Sequence, residues 1–353
     1  MFSVFCQKRF KGGLVSSDGR VLLPFNPSRG IGCIAIGNPS EGLVFCEQHG
    51  KVFAITEEGS RIEYDDITLQ NPPWPQLRDG LAAMCDVETD KYGYINRSGS
   101  WIIPPRFEMA GDFRDGLAMI FNCESKRTYE VRGGKRKLIR QTVKNPMYGI
   151  INRTGELLHT LPVDNVPFIN PTDRGWPDDL FEFVGEIKLK KSPYCVPCIV
   201  RNLSEVHRFP NVKELRPCYR GVVGCRTGQE EQSSWELRTT RNVLIVKEEF
   251  ENLGFWSSGL CPAKDKGQGW GAIDTNGRWV IKPEYDHLRM FQHGLADGKK
   301  DGRFVVITPN NRVILKCDAD YVEVYPDRIL VVNGDRILLH DLQGKLLHTI
   351  RVK

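Results

Sequence analysis

The residues with chemistry to offer are few and scattered. Cys195-Val196-Pro197-Cys198 forms a C-x-x-C. That spacing serves thiol redox chemistry when it opens a helix, whose N-terminus lowers a thiol pKa. It serves zinc when a second pair stands at similar spacing. Here Val196 and Ile199-Val200 read as strand and no helix follows. The nearest other cysteines, Cys218 and Cys225, are seven apart. Ordinary strand cysteines are therefore expected. The seven histidines stand singly, none in H-x-x-x-H or H-E-x-x-H spacing. No G-x-S-x-G, phosphate loop or dinucleotide fingerprint is present. The carboxylate pairs Asp65-Asp66 and Asp178-Asp179 are adjacent residues in loop contexts, the look of solvated turns. No catalytic residue, metal ligand or cofactor is assigned, although a carboxylate pair assembled from distant segments stays open.

The other chemical feature is basic. Between 123 and 147 stand Lys126, Arg127, Arg132, Lys135, Arg136, Lys137, Arg140 and Lys144, around a central Gly133-Gly134. The pattern suggests an extended hairpin. Arg132, Lys135, Arg136, Lys137 and Arg140 are the candidate binding residues, because clustered cations release counterions from a phosphate backbone or meet an acidic partner. Tyr129 is the one aromatic among them, so base stacking is not indicated. The plainer reading is a solvated hairpin extension.

What must position these residues is a repeat. Gly259 to Gly294 and Gly80 to Gly116 run in register when Trp270-Gly271 is laid on Tyr92-Gly93. Gly277 then meets Gly99, Trp279 meets Trp101, Pro283 meets Pro105 and Phe291 meets Phe113. Gly271 to Gly294 is 23 positions, as is Gly93 to Gly116. Each copy reads as strand, turn, strand. Trp270 to Asp274 suits a strand, Asn276-Gly277 suits a two-residue hairpin loop, and Arg278 to Ile281 is β-branched and aromatic. Pro283, with no N–H to donate, is expected to end the ladder. Trp270, Trp279, Tyr285 and Phe291 are expected to pack.

This pattern resembles the WG-repeat family of β-rich proteins, found mostly in bacteria. The resemblance is carried by Trp270-Gly271, with Tyr92-Gly93 and Tyr148-Gly149 as variants, by the Ile-Asp/Asn-x-x-Gly turn, by Ile-x-Pro-x-aromatic and by Phe-x-x-Gly-Leu. It covers 80–116 and 259–294 closely, 148–155 in part, and the rest in degenerate form. It implies an architecture and a binding scaffold, and no catalytic residues.

Unit starts fall at Gly42, Gly80, Gly116, Gly221, Gly259 and Gly294, at intervals of 38 and 36 before the insertion and 38 and 35 after it. A period near 35–40 with several strands per unit suits a propeller blade or a solenoid rung. The expectation is an all-β, β-propeller-like ring of about seven or eight short antiparallel units, forming one domain over 1–353 with insertions at 123–147 and 159–180. A final half-unit, 328–353, could pair with 2–25 to close the ring. An open β-solenoid or two β-sheet domains are the alternatives.

Composition excludes little. The net charge is +5 over 353 residues, too small to argue for nucleic acid without clustering. No apolar run approaches the roughly 18–20 residues that span a bilayer, and Met1 to Gly13 lacks a signal-peptide core. Eleven cysteines, mostly single, are read as reduced, buried thiols of a cytoplasmic protein. The expected function is a non-enzymatic protein-interaction scaffold, of which an immunity or antitoxin-like binder is one form. An enzyme (a hydrolase or lyase) with its site at the ring mouth, and nucleic-acid binding through 126–144, are the alternatives.

Overall fold

The computed structural model describes residues 2–6, 11–27, 35–36, 39–49, 51–64, 67–68, 75–86, 88–132, 135–162, 182–188, 195–201, 205–216, 219–228, 233–246 and 250–352. The fold is all-β and of the β-propeller type. Small antiparallel sheets follow one another along the chain, and within each sheet every strand pairs with its neighbour in sequence. The chain divides into two compact units. One is Ala35–Arg174; the other combines Met1–Ile34 with Gly175–Lys353.

In the first unit three four-stranded sheets span 35–64, 67–107 and 109–162. In the second, three-stranded sheets span 2–27, 182–208 and 214–239, and four-stranded sheets span 252–285, 287–317 and 321–351. The 214–239 sheet gains a fourth edge through a bridge between Arg238 and Leu244. Seven sheets among the described residues thus have the full four-edged form, and the 2–27 and 182–208 sheets have three strands. The expected final half-unit is a whole sheet of its own, Tyr321–Val324, Ile329–Asn333, Arg336–His340 and Leu346–Arg351. The insertion at 123–147 extends one hairpin, Leu117–Arg132 with Lys135–Asn152. Most of the expected second insertion, 163–180, lies outside the described residues.

The core lies between consecutive sheets. Leu43, Phe45 and Val52 of the 35–64 sheet pack with Ala82, Met84 and Ile95 of the next. Leu260, Ala272 and Ile281 pack with Ala296, Val305 and Ile307. Val306 packs with Val322, Ile329 and Val331. Val15 of the first sheet packs with Leu330, Val332, Ile337 and Leu339 of the last. Phe113 and Phe291 are fully buried plugs, as expected, each stabilising by about 2–3 kcal/mol.

Two turns recur and explain the spacing seen in sequence. Six times, residues three apart exchange both backbone hydrogen bonds across a loop ending in glycine: Ser40 with Leu43, Arg78 with Leu81, Arg114 with Leu117, Tyr219 with Val222, Ser257 with Leu260 and Gln292 with Leu295. Both loop residues are left-handed, for example His293 at 53° and Gly294 at 80°. This is the type I′ geometry that matches strand twist. These are the unit starts.

The second turn corrects an expectation. The loop after Ile273 has three residues, not two. Asp274 N donates to Arg278 O and Gly277 N to Asp274 O, while Asp274 Oδ1 accepts from the amides of Asn276 and Arg278, each at 2.9 Å. The carboxylate holds the amides that open the returning strand, so the loop widens by one residue. Asn96, Asn152 and Asp341 do the same. Ser16, Thr56, Thr239 and Thr308 substitute a hydroxyl, accepting from Arg20, Ser60, Val243 and Arg312.

Proline 283 also departs from expectation. The strand Trp279–Tyr285 runs through it, because a bulge lifts Lys282 to Glu284 out of register. Ala272 pairs with Ile281, and two residues earlier Trp270 pairs with Tyr285. Pro283 thus owes no ladder hydrogen bond. The bulged chain crosses over Gly271, where a Cβ would stand 2.3 Å from Ile281 O. The same bulge, at Pro104 and Pro105, crosses Gly93, whose Cβ would stand 2.5 Å from Ile103 O. This is why glycine follows the aromatic residue.

Candidate binding site

The site is built on one register position of successive sheets. Short first strands hydrogen-bond to the strand after them by a bond that recurs from sheet to sheet. Gly111 N donates to Met119 O, Arg216 to Gly224, Gly254 to Pro262 and Arg289 to Asp297. In the last sheet Glu323 pairs with Leu330. Four consecutive sheets therefore carry Arg216, Gly254, Arg289 and Glu323 at this position, the first three directly after the first strand and Glu323 within it.

A cavity of about 280 Å³ opens where Gly254 contributes no side chain. Phe255, Pro262, Trp270, His287, Arg289 and Glu323 are among the residues that line it. Phe255 is 48 % exposed, and the Arg216 guanidinium lies 5.2 Å from its ring. Trp270 stands 5.4 Å from the His287 imidazole, tilted by 44°. Trp279, by contrast, packs edge-on to Phe250 at 5.7 Å. One tryptophan of the pair is framework and the other lines a cavity.

Part of the lining is charged. Asp297 is 7 % exposed, and both Nε and Nη2 of Arg289 lie 2.6 Å from its Oδ2. Arg289 Nη2 also donates to Val322 O at 2.6 Å. Burial pushes the Asp297 carboxyl up and the Arg289 guanidinium pulls it part of the way back. Burial works against the Arg289 charge too, but Asp297 and Tyr321 together outweigh it, so the guanidinium is held charged. The two charges are spent on each other. Glu323 accepts from the Tyr325 hydroxyl at 2.8 Å and leaves one net negative charge. Burial, then Arg289 and Lys299, lower the His287 pKa, so the imidazole is neutral at pH 7.

Comparison with known proteins bears on the frame. Residues 92–122 and 270–304 match the family described as WG containing repeat. The chain carries WG repeats. No curated protein sequence matches it. Among solved structures, the crystal structure of a eukaryotic initiation factor superposes with a TM-score of 0.59 at 13 % identity, covering 99 % of this chain and 95 % of that one. A computationally designed protein, Ika8, gives 0.44 at 12 % identity, covering 92 % and 97 %. Apo AztD from Citrobacter koseri gives 0.43 at 13 %, covering 98 % and 92 %. The first likeness is one of fold alone, and the other two carry no argument.

Trp270 belongs to the repeat pattern, whereas Asp297 departs from it. Asp297 occupies the position held by Met119, Gly224 and Pro262 in other sheets. A carboxylate at a site otherwise apolar or glycine was the signal available in sequence, and it was missed because the units were aligned on their glycines and aromatics alone. The basic candidates lie elsewhere. Arg132, Lys135, Arg136, Lys137 and Arg140 sit at the far end of the long hairpin, where Arg132 pairs with Lys135, Val131 with Arg136, Glu130 with Lys137 and Thr128 with Arg140. Cys195 and Cys198 lie within the strand Cys195–Arg201, not at a strand-to-helix turn. Cys46, Cys225 and Cys261 are buried, and burial pushes each thiol up to about 12. No helix among the described residues is long and apolar enough to cross a membrane.

Proposed function

We propose that the chain is a non-enzymatic scaffold that binds a protein partner, with the cavity beside Gly254 as its anchor point. The supporting observation is the contrast between frame and cavity. The repeated turns, glycines and aromatic plugs are spent on joining sheets, whereas Phe255, Trp270 and Glu323 border open space. A half-exposed aromatic ring at the rim of a small pocket is the kind of feature that holds a partner's anchor residue. A volume near 280 Å³ falls just below the range of small-molecule sites and suits one side chain. Pro262, Leu288 and Val324 would cover an apolar stem, and Glu323 would meet a cationic head.

The test is capture of partners on the purified protein, followed by titration of the purified partner against intact protein, Phe255→Ala and Glu323→Gln. A loss of affinity of tenfold or more in both variants, with unchanged melting temperature, supports the reading. Equal affinity in all three proteins, or no stable partner, overturns it.

A further inference from the structure

We propose that the hairpin formed by residues 117–152 is a duplex-DNA-binding ribbon, independent of the cavity beside Gly254. The first observation is where the charge lies. Residues 123–146 carry eight cations (Lys126, Arg127, Arg132, Lys135, Arg136, Lys137, Arg140, Lys144) and two carboxylates (Glu124, Glu130), a net of 8 − 2 = +6. The whole chain is +5. The rest of the protein therefore sums to −1, and the basicity of the molecule belongs to this one element.

The second observation is shape. The hairpin begins inside a four-stranded sheet, flanked by Met109–Ala110 on one side and Leu157–Pro162 on the other. The flanking pairings reach Phe121 and Met147. Beyond them the two strands pair with each other alone, from Glu124 opposite Lys144 out to Arg132 opposite Lys135. At a rise of about 3.3 Å per residue this two-stranded part extends roughly 30 Å. A two-stranded ribbon enters the major groove of B-DNA, which is about 12 Å wide, and 30 Å is close to one helical turn. The major groove of A-form RNA is too narrow to admit it.

The third observation is register. A solvated ribbon lowers its self-repulsion by placing opposite charges across from each other. Two cations have that arrangement, Lys137 opposite Glu130 and Lys144 opposite Glu124. The others do not. Arg132 stands opposite Lys135, Lys126 opposite Thr142, Arg127 opposite Gln141, Arg136 opposite Val131 and Arg140 opposite Thr128. The one like pair, Arg132 opposite Lys135, and the unpaired excess of cations along the ribbon cost stability in the free protein. A regular polyanion lying along the ribbon turns that cost into attraction, because each contacted phosphate releases a counterion. One aromatic residue, Tyr129, lies among the cations, so the contact is to backbone phosphates rather than to stacked single-strand bases.

The experiment is fluorescence anisotropy of a labelled 20-base-pair DNA duplex titrated with the full-length protein at several salt concentrations. A parallel protein carries Arg132→Gln, Lys135→Gln, Arg136→Gln, Lys137→Gln and Arg140→Gln. Circular dichroism and melting temperature check that the frame is kept. The intact protein is expected to bind with log K falling steeply with log salt. The five substitutions are expected to flatten that slope by about four to five. A Phe255→Ala protein is expected to bind DNA unchanged, which separates this activity from the cavity. Absent or salt-insensitive binding, or an unchanged slope in the five-site variant, overturns the proposal. Equal or tighter binding to a double-stranded RNA of the same length, to polyglutamate or to phosphatidylserine vesicles overturns the assignment to DNA.

Discussion

Gly19, in the first sheet, lies against His348, in the last. A Cβ at residue 19 would stand 3.0 Å from His348 Cγ, and Arg328 Nε donates to Ser17 O at 3.3 Å beside it. The same joint links sheets that are consecutive in the chain: Gly99 lies against Tyr64, Gly155 against Arg106 and Gly344 against Ile314. The first and last sheets therefore meet as sequence neighbours do. Gly19 also has φ +86°. Gly19→Ala is expected to destabilise the fold by about 1–3 kcal/mol. His348→Ala in the same protein should restore part of the loss, since it removes the contact and leaves the backbone strain. Urea titration of the two single variants and the double variant measures this, and independent, additive effects would refute the joint.

Gly271 and Gly259 offer a matched comparison. Gly259 has φ +80° with nothing within 4 Å of a Cβ, whereas a Cβ at Gly271 meets Ile281 O. Gly259→Ala should cost about 1 kcal/mol from conformation alone. Gly271→Ala must push backbone from backbone and should cost about 2–4 kcal/mol. Equal midpoints in urea would show that the bulge over Gly271 yields freely.

Histidine 340 occupies a position that elsewhere holds Ile55, Ile95, Ile151, Ile273 and Ile307, each immediately before the turn residue. It is 8 % exposed, and its Nδ1 is buried with no hydrogen-bond partner among the described residues. Burial lowers its pKa below the ordinary 6.5, as it does for His287 and His293. A depressed histidine pKa means that the unfolded chain binds more protons below 6.5. Stability from these groups is therefore complete above pH 6.5 and is lost as pH falls below it. His340→Ile is expected to raise stability by about 1–3 kcal/mol and to weaken the decline in melting temperature between pH 7.5 and 5.5. A variant no more stable than the parent at either pH would count against this reading.

The Arg289–Asp297 pair invites a substitution back to the repeat. Asp297→Met alone leaves a part-buried guanidinium without its carboxylate, and should destabilise by about 1–3 kcal/mol. Arg289→Gly with Asp297→Met recreates the Gly111 and Met119 combination of another sheet. The double variant should recover most of the stability while enlarging the cavity. Thermal melts of the three proteins decide it, and a double variant worse than the sum of the singles would show that the pair does more than satisfy itself.

The glycine spacing, the aromatic plugs and the Asp/Asn-x-x-Gly turns were legible from residue types, because each depends on local geometry. Type I′ loops need left-handed residues, and a hairpin closed by a side-chain carboxylate needs Asp or Asn at one place. In the degenerate units Ser16, Thr56, Thr239 and Thr308 close the same turn, where a hydroxyl takes the carboxylate's part. Pro283 misled for a local reason as well, since a bulge is a relation between two strands and not a property of one.

The sequence by itself determined an all-β repeat chain with WG repeats at 92–122 and 270–304 and a basic hairpin, since period, turn chemistry and charge are carried along the chain. Tertiary structure alone decided that Gly19 meets His348, and that Gly254, Arg289, Asp297 and Glu323 border one cavity. Arg289 and Asp297 share one sheet, but Gly254 and Glu323 stand on the sheets before and after it, and Gly19 and His348 on the first and last, so only packing between sheets brings them together.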